Sequence, residues 1–173
     1  MNECEGTGLG WVAEMVKRHS MMEAVFVPAF VDLDTSPRQV KLFPRSVFVE
    51  STRGFLAMNI DEKSGQIQLA DSHTLVTPPA LGAEPSLEPV FADLSLNYLS
   101  EITPLRCLGI VLHFDVDSSG SENRFRAVEL RFADDRILLF DPFWPSGIRI
   151  GGKFEAVRLR KEITAGQIVA IEI

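Results

Sequence analysis

The thiols and imidazoles available for chemistry in this 173-residue chain are two cysteines, Cys4 and Cys107, and three histidines, His19, His73 and His113. Cys107 and His113 share one face of the alternating stretch from Arg106 to Asp117, because successive side chains of a strand point to opposite faces. A thiol beside an imidazole could act as a nucleophile and its base. Six residues at ~3.3 Å each, however, hold the two roughly 20 Å apart, far beyond hydrogen-bond reach. The expectation is therefore a packed thiol and a half-buried histidine. His113, Asp115 and Asp117 offer same-face oxygen and nitrogen ligands, and Asp115, Asp117, Ser119 and Gly120 match the first half of a calcium loop. Its last ligand position is Arg126, a cation where a bidentate glutamate is required, so no metal is expected and DSSGSEN reads as a solvated turn. His19 and His73 have no second ligand at close spacing, and any triad containing them would have to be assembled from distant segments. GTGLGW lacks the lysine of a phosphate-binding loop.

Arginine and aromatic residues make the stronger pattern. Between Arg124 and Lys161 stand nine basic and five acidic residues, against eight basic and nineteen acidic in the rest of the chain. An acidic protein with a net charge of −7 therefore contains one basic stretch. Inside it lies FDPFWPSGIRIGG, residues 140 to 152, where Pro142 and Pro145 stiffen the connection that carries Phe143 and Trp144. Rigid presentation lowers the entropy cost of offering aromatic side chains to a partner. The candidate binding residues are Asp141, Phe143, Trp144 and Arg149, with Arg131 and Arg158 as further cations. Arg124 with Arg126, and Arg158 with Arg160, are read as pairs on strand faces. The aromatics suited to base stacking fall mostly at core-like positions, which argues against nucleic acid.

The elements that must position these residues are mainly strands. Leu9, Val12, Met15, Val16 and His19 have helical spacing, which predicts an amphipathic helix over 9–19. EAVFVPAFVDL reads as a strand buried on both faces, with Pro28 marking a bulge or edge. The apolar parity of VKLFPRSVFVE changes at Pro44, predicting a bend there. GFLAMNI and QIQLA flank DEKSG, a hairpin turn closed by Gly65. Four prolines then make TPPALGAEPSLEP an extended crossover or lid, followed by a short helix in DLSLNYLSEI. From residue 105 onward LRCLGIVLHFDVD, FRAVELRF, RILLFD, GIRI, FEAVRLR and QIVAIEI all read as strands, with turns at Asp134-Asp135 and Gly151-Gly152.

The predicted fold is α+β and mainly β. A curved, antiparallel, barrel-like sheet of about ten strands carries an N-terminal helix and one short helix after the proline-rich crossover. It forms a single domain over 1–173, divided into a first β segment (23–76), the crossover and short helix (77–104) and a second β segment (105–173). Hydrophobic residues at 46% and charged residues at 24% suit a folded globular chain. Two unpaired cysteines, an acidic start and the lack of a long apolar run lead to the expectation of a cytoplasmic protein without a membrane anchor, and a bacterial source is expected.

The function expected from these features is non-enzymatic: a protein-binding module, such as an inhibitor, immunity or accessory protein for a basic partner, because its acidic excess suits one electrostatically. The alternative is a barrel that binds a small or anionic ligand in an arginine and aromatic pocket formed by Arg131, Arg149, Arg158, Phe143 and Trp144. An enzyme using Glu129 and Asp141 as acid and base ranks third. No cofactor is implied.

Overall fold

The structure is a computed structural model and describes residues 9–99, 104–115, 123–143, 146–163 and 167–173. Helix α1 (Gly10–Arg18) leads into β1 (Met21–Asp32), β2 (Val40–Leu42), β3 (Ser46–Ser51), β4 (Gly54–Ile60) and β5 (Ile67–Ser72). A crossover with one turn of helix, α2 (Pro79–Gly82), precedes β6 (Leu87–Asp93) and the short α3 (Ser95–Tyr98). The second half contains β7 (Leu105–His113), β8 (Ala127–Phe132), β9 (Ile137–Phe143), β10 (Gly147–Gly151), helix α4 (Lys153–Glu162) and β11 (Ile168–Glu172).

These eleven antiparallel strands form one sheet with the path β10-β9-β8-β7-β1-β3-β4-β5, while β2 and β6 pair with β1, and β11 pairs with β7. Folding at β1 and β7 turns the inner faces of the two half-sheets toward each other. Val25, Val27, Val49, Leu56 and Leu69 from the first half meet Ile110, Leu112, Val128, Leu130 and Phe140 from the second in one core, which also takes Val12 and Val16 of α1. The sheet does not close. Two contacts bring its ends together: Ile67 and Phe125 exchange backbone hydrogen bonds of 2.8 Å, and Ile148 N–H donates to the Pro44 carbonyl at 2.6 Å. "Barrel-like" thus describes its curvature and not a closed ladder. No helix among the described residues is long and apolar enough to cross a membrane.

The bend expected at Pro44 separates β2 from β3, and both pair with β1. Pro28 sits opposite this break, where its carbonyl accepts the Phe43 N–H at 2.7 Å. The β1 bulge lies between Met22 and Ala24 instead of at Pro28. Gly65 (φ 69°) and Asp135 (φ 62°) occupy the left-handed conformation in their turns.

Four expectations need correction. FEAVRLR forms most of α4, not a strand, and Gly151-Gly152 is not a hairpin turn. Gly151 ends β10, while the Gly152 N–H donates to the Glu155 carboxylate at 2.9 Å, satisfying an otherwise free group at the helix start. Ala156 and Leu159, three residues apart, bury one stripe of α4 against Ala127 and Leu139 on the outer face of the second half-sheet. LEPVFAD within the proline-rich segment is strand β6, with Pro89 opposite Phe30 of β1. In β7 the alternation shifts between Cys107 and Gly109, so Cys107 joins the core with Ile110 and Leu112, and Leu108 becomes 41% exposed.

Gly147 holds one of the two contacts that bring the sheet ends together. Its φ is 115°, and a Cβ there would lie 2.5 Å from the Pro44 oxygen. Gly147→Ala is expected to cost about 1–3 kcal/mol or more in chemical denaturation. Gly10→Ala, with no atom within 4 Å of the added Cβ, should stay within about 0.5 kcal/mol of the parent.

Candidate functional site

Three constellations assemble only in the fold. The first joins α1, the β3–β4 turn and β5. His19 lies between Ser51 and Asp71, with Nδ1 at 2.7 Å from the Ser51 hydroxyl and Nε2 at 2.9 Å from an Asp71 oxygen. Arg18 holds the other Asp71 oxygen. Burial alone would raise the Asp71 carboxyl, but the hydrogen bonds and charges of His19 and Arg18 outweigh it and hold the group below its ordinary value. Serine, histidine and aspartate in contact suggest hydrolysis. Access argues against it: His19 is fully buried, Ser51 is 6% exposed, and the Ser51 oxygen also accepts the Arg53 N–H at 3.1 Å. The trio is better described as a clamp that fastens the end of α1 to the sheet.

The second constellation lies on the outer face of the second half-sheet. His113 Nε2 donates to Glu129 at 2.7 Å, and Arg160 of α4 grips both oxygens of the same carboxylate, with its Nε at 3.0 Å. His113 and Glu129 are both fully buried, so the expected half-buried histidine beside a thiol is corrected. Its partner is a carboxylate on the neighbouring strand. Burial would raise the Glu129 carboxyl, but hydrogen bonds from His113 and Arg160 hold it below its ordinary value. Cys107 faces away into the core, where burial pushes its thiol up to about 11 and leaves it a poor nucleophile.

Asp141, one strand further, is nearly buried and receives Arg126 at 2.7 Å and Arg149 as well. The Arg149 guanidinium stands 5.6 Å from the centre of the Phe143 ring, and Phe143 is 57% exposed. Asp141, Phe143 and Arg149 are thus brought together, whereas Trp144 lies outside the described residues. Arg131 is exposed on β8, and Arg158 pairs with Glu162 along α4 at 3.6 Å. Arg158 and Arg160 do not share a strand face, because they are helical, and Arg160 belongs to Glu129. Arg124 and Arg126 precede β8 and bind different acids, Asp61 at 3.1 Å and Asp141. The interior between the half-sheets is filled by apolar side chains, whereas Arg131 lines a cavity of about 650 Å³ together with Arg136, Lys153 and Arg160. Among the described residues no three histidine, cysteine or acidic side chains are placed to hold a metal ion.

The third constellation was not anticipated from the sequence. On the outer face of the first half-sheet, pairing of Phe26 with Phe48 and of Pro28 with Phe91 brings four aromatic rings together. Phe26–Phe55, Phe48–Phe55 and Phe48–Phe91 meet edge to face at 6.4, 6.4 and 6.0 Å. Phe48 also lines a cleft of about 850 Å³ between the sheet and the crossover, with Phe43, Ala57, Ala70, Val76 and Pro78. The crossover therefore works as the wall of a cleft, as its prolines suggest. Beside the rings stand Glu23, Glu50 and Asp93. No cation pairs with any of these three among the described residues, and burial together with the charges of Glu23 and Asp93 pushes the Glu50 carboxyl up. The parity of VFVES and GFLAMNI was legible, but which strands would be neighbours was not.

No known protein family, curated protein or solved structure matches the chain.

The Glu129 network predicts a pH effect with a defined sign. A carboxyl held below its ordinary value adds stability above that value, here 4.5, and loses it as pH falls through the folded-state value. Glu129→Gln should destabilise the protein at pH 7 by about 1–3 kcal/mol in urea titrations. The gap between variant and parent should narrow below about pH 4. A gap that is constant with pH would contradict the assignment.

Proposed function

We propose that the chain is a non-enzymatic protein-binding module whose partner lays a basic, apolar-anchored segment across the outer face of the first half-sheet. One observation carries this reading: Glu23, Glu50 and Asp93 stand together without a counter-cation among the described residues, beside the half-buried Phe26, Phe55 and Phe91 and the buried Phe48, which reaches the cleft. Some other acids are paired, while the exposed Glu14, Asp34, Glu84, Glu88 and Glu172 form no ion pair among the described residues. Asp71, Asp141 and Glu129 each have an arginine, and Glu62 has Arg45 at 2.7 Å. Carboxylates that repel one another are relieved by a partner's lysine or arginine, and the rings supply the apolar contact that such charges alone lack. An inhibitor, immunity or accessory protein needs a preformed surface of this kind, and none of these roles needs a reacting group.

A small ligand in the cleft is the second reading. Ser46 and Asn59 face each other across β3 and β4 inside the cleft lining, and neither side chain has a hydrogen-bond partner among the described residues. Arg45 lies 5.8 Å from the Phe43 ring in the same lining. Unengaged polar groups in an apolar recess are what orient a small ligand.

Fluorescence anisotropy with a labelled peptide of alternating Phe and Lys separates the two. It should bind at low salt, with Glu23→Gln and Glu50→Gln each weakening it roughly two- to fivefold. A peptide with Glu in place of Lys should not bind. Ala57→Trp, which fills the cleft floor, should abolish binding in either reading, whereas loss with Ala57→Trp alone favours the small ligand. Equal binding by parent and all three variants would sink the proposal. Glu50→Gln should also melt no lower than the parent at pH 7, because it removes a carboxylate repelled by its neighbours.

A further inference from the structure

An antiparallel sheet exposes alternate backbone N–H and C=O groups along each edge, and folded proteins protect such edges from pairing with other chains. Three edges here are protected in recognisable ways. On β5, Phe125 takes both backbone groups of Ile67 at 2.8 Å, while the Asn123 side chain accepts the Leu69 N–H at 3.0 Å and donates to its carbonyl at 2.5 Å. On β10, the Ile148 N–H is taken by Pro44. On β6, the N–H of Leu94 donates to β1 and the carbonyl of Ser86 accepts from Leu33, so the even-numbered residues face β1. Pro89 therefore occupies an outward position and has no donor to offer.

β11 has no such protection. Phe114 N–H donates to Gln167 and Ile173 N–H donates to Leu108, both at 2.9 Å, which assigns residues 167, 169, 171 and 173 to the β7 side. The N–H and C=O groups of Ile168, Ala170 and Glu172 consequently point away from the sheet. None of them meets a hydrogen-bond partner among the described residues. The strand IVAIE contains no proline, glycine, lysine or arginine, and its register with β7 has no bulge. Its outward-bonding residues also have exposed side chains, with Ile168 at 45%.

We infer that β11 is a self-association edge, at which two copies of the chain pair antiparallel about a twofold axis through Ala170. The order of the outward residues is self-complementary. A twofold axis at Ala170 sets Ala170 against its mate and each Ile168 against the other copy's Glu172, and every such pair exchanges two backbone hydrogen bonds. The smallest side chain lies at the axis, and the two carboxylates sit at opposite ends of the ladder. Centring the axis on Glu172 would instead oppose like charges. None of the acidic or aromatic residues of the first half-sheet takes part, so this inference stands apart from the partner-binding proposal.

Size-exclusion chromatography with light scattering, run from about 1 µM to about 500 µM, tests it. The mass should rise from 19.2 kDa toward twice that value with concentration. Ala170→Pro removes one outward donor without touching a bond to β7, and Ile168→Lys adds the charge that edge strands use for protection. Each should weaken dimerisation at least tenfold while the circular dichroism spectrum stays unchanged. A parent that is monomeric throughout, or a dimer that survives Ile168→Lys, overturns the inference. Should Ala170→Pro fail to fold, Ile168→Lys alone decides.

Discussion

Everything in the fold depends on the pairing of β1. This one strand hydrogen-bonds to β2, β3, β6 and β7, and so joins both half-sheets. It can do so because its sequence is apolar on both parities, so that Val25 and Val27 face the shared core while Ala24 and Phe26 face outward. Pro28 would break a strand that needed all its donors. It is tolerated here because its neighbour on one side is also interrupted, at Pro44, and only its carbonyl is required. Two prolines far apart in sequence thus let one strand serve two successive partners along the same edge.

Apolar side chains fill the space between the half-sheets, and the two outer faces differ in how their charge is managed. On the second half-sheet, α4 covers the strands, and each buried carboxylate is held by arginine: Glu129 by Arg160, Asp141 by Arg126 and Arg149. A buried carboxylate without such partners would cost several kcal/mol, so these arginines have structural work to do and are not free for a ligand. Beside the rings of the first half-sheet, burial and the charges of Glu23 and Asp93 push the Glu50 carboxyl up, and no cation pairs with any of the three among the described residues. Charges left in that state cost the free protein little at a wet surface, yet they favour any partner that brings cations. Function is inferred from this difference in compensation and not from the number of charges.

Much of the architecture was legible because strands alternate and turns have their own residues. The β4–β5 hairpin, the Asp134-Asp135 turn, the bend at Pro44 and the limits of α1 all followed from local chemistry. α4 did not, since FEAVRLR alternates well enough to pass for a strand. The better signal was Gly152 followed three residues later by Glu155, the spacing at which a glutamate side chain reaches back to the start of a helix. β6 was missed because Pro85 and Pro89 suggested only an irregular segment, although proline is acceptable on an outward edge. The site was less legible than the fold. Asp141, Phe143 and Arg149 do meet, but the four-ring cluster and its acidic rim depend on β6 and β3 flanking β1, and no local pattern encodes that neighbourhood.

In the proposed mode, recognition uses the first half-sheet and not Phe143 at the end of β9. Placing a photo-crosslinking benzophenylalanine at Phe55 in one strain of the native host, and at Phe143 in another, compares the two surfaces directly. A crosslink is expected from position 55 to a basic protein, reduced when Glu50 is also replaced by Gln, and none from position 143. A crosslink formed only from position 143 would contradict it.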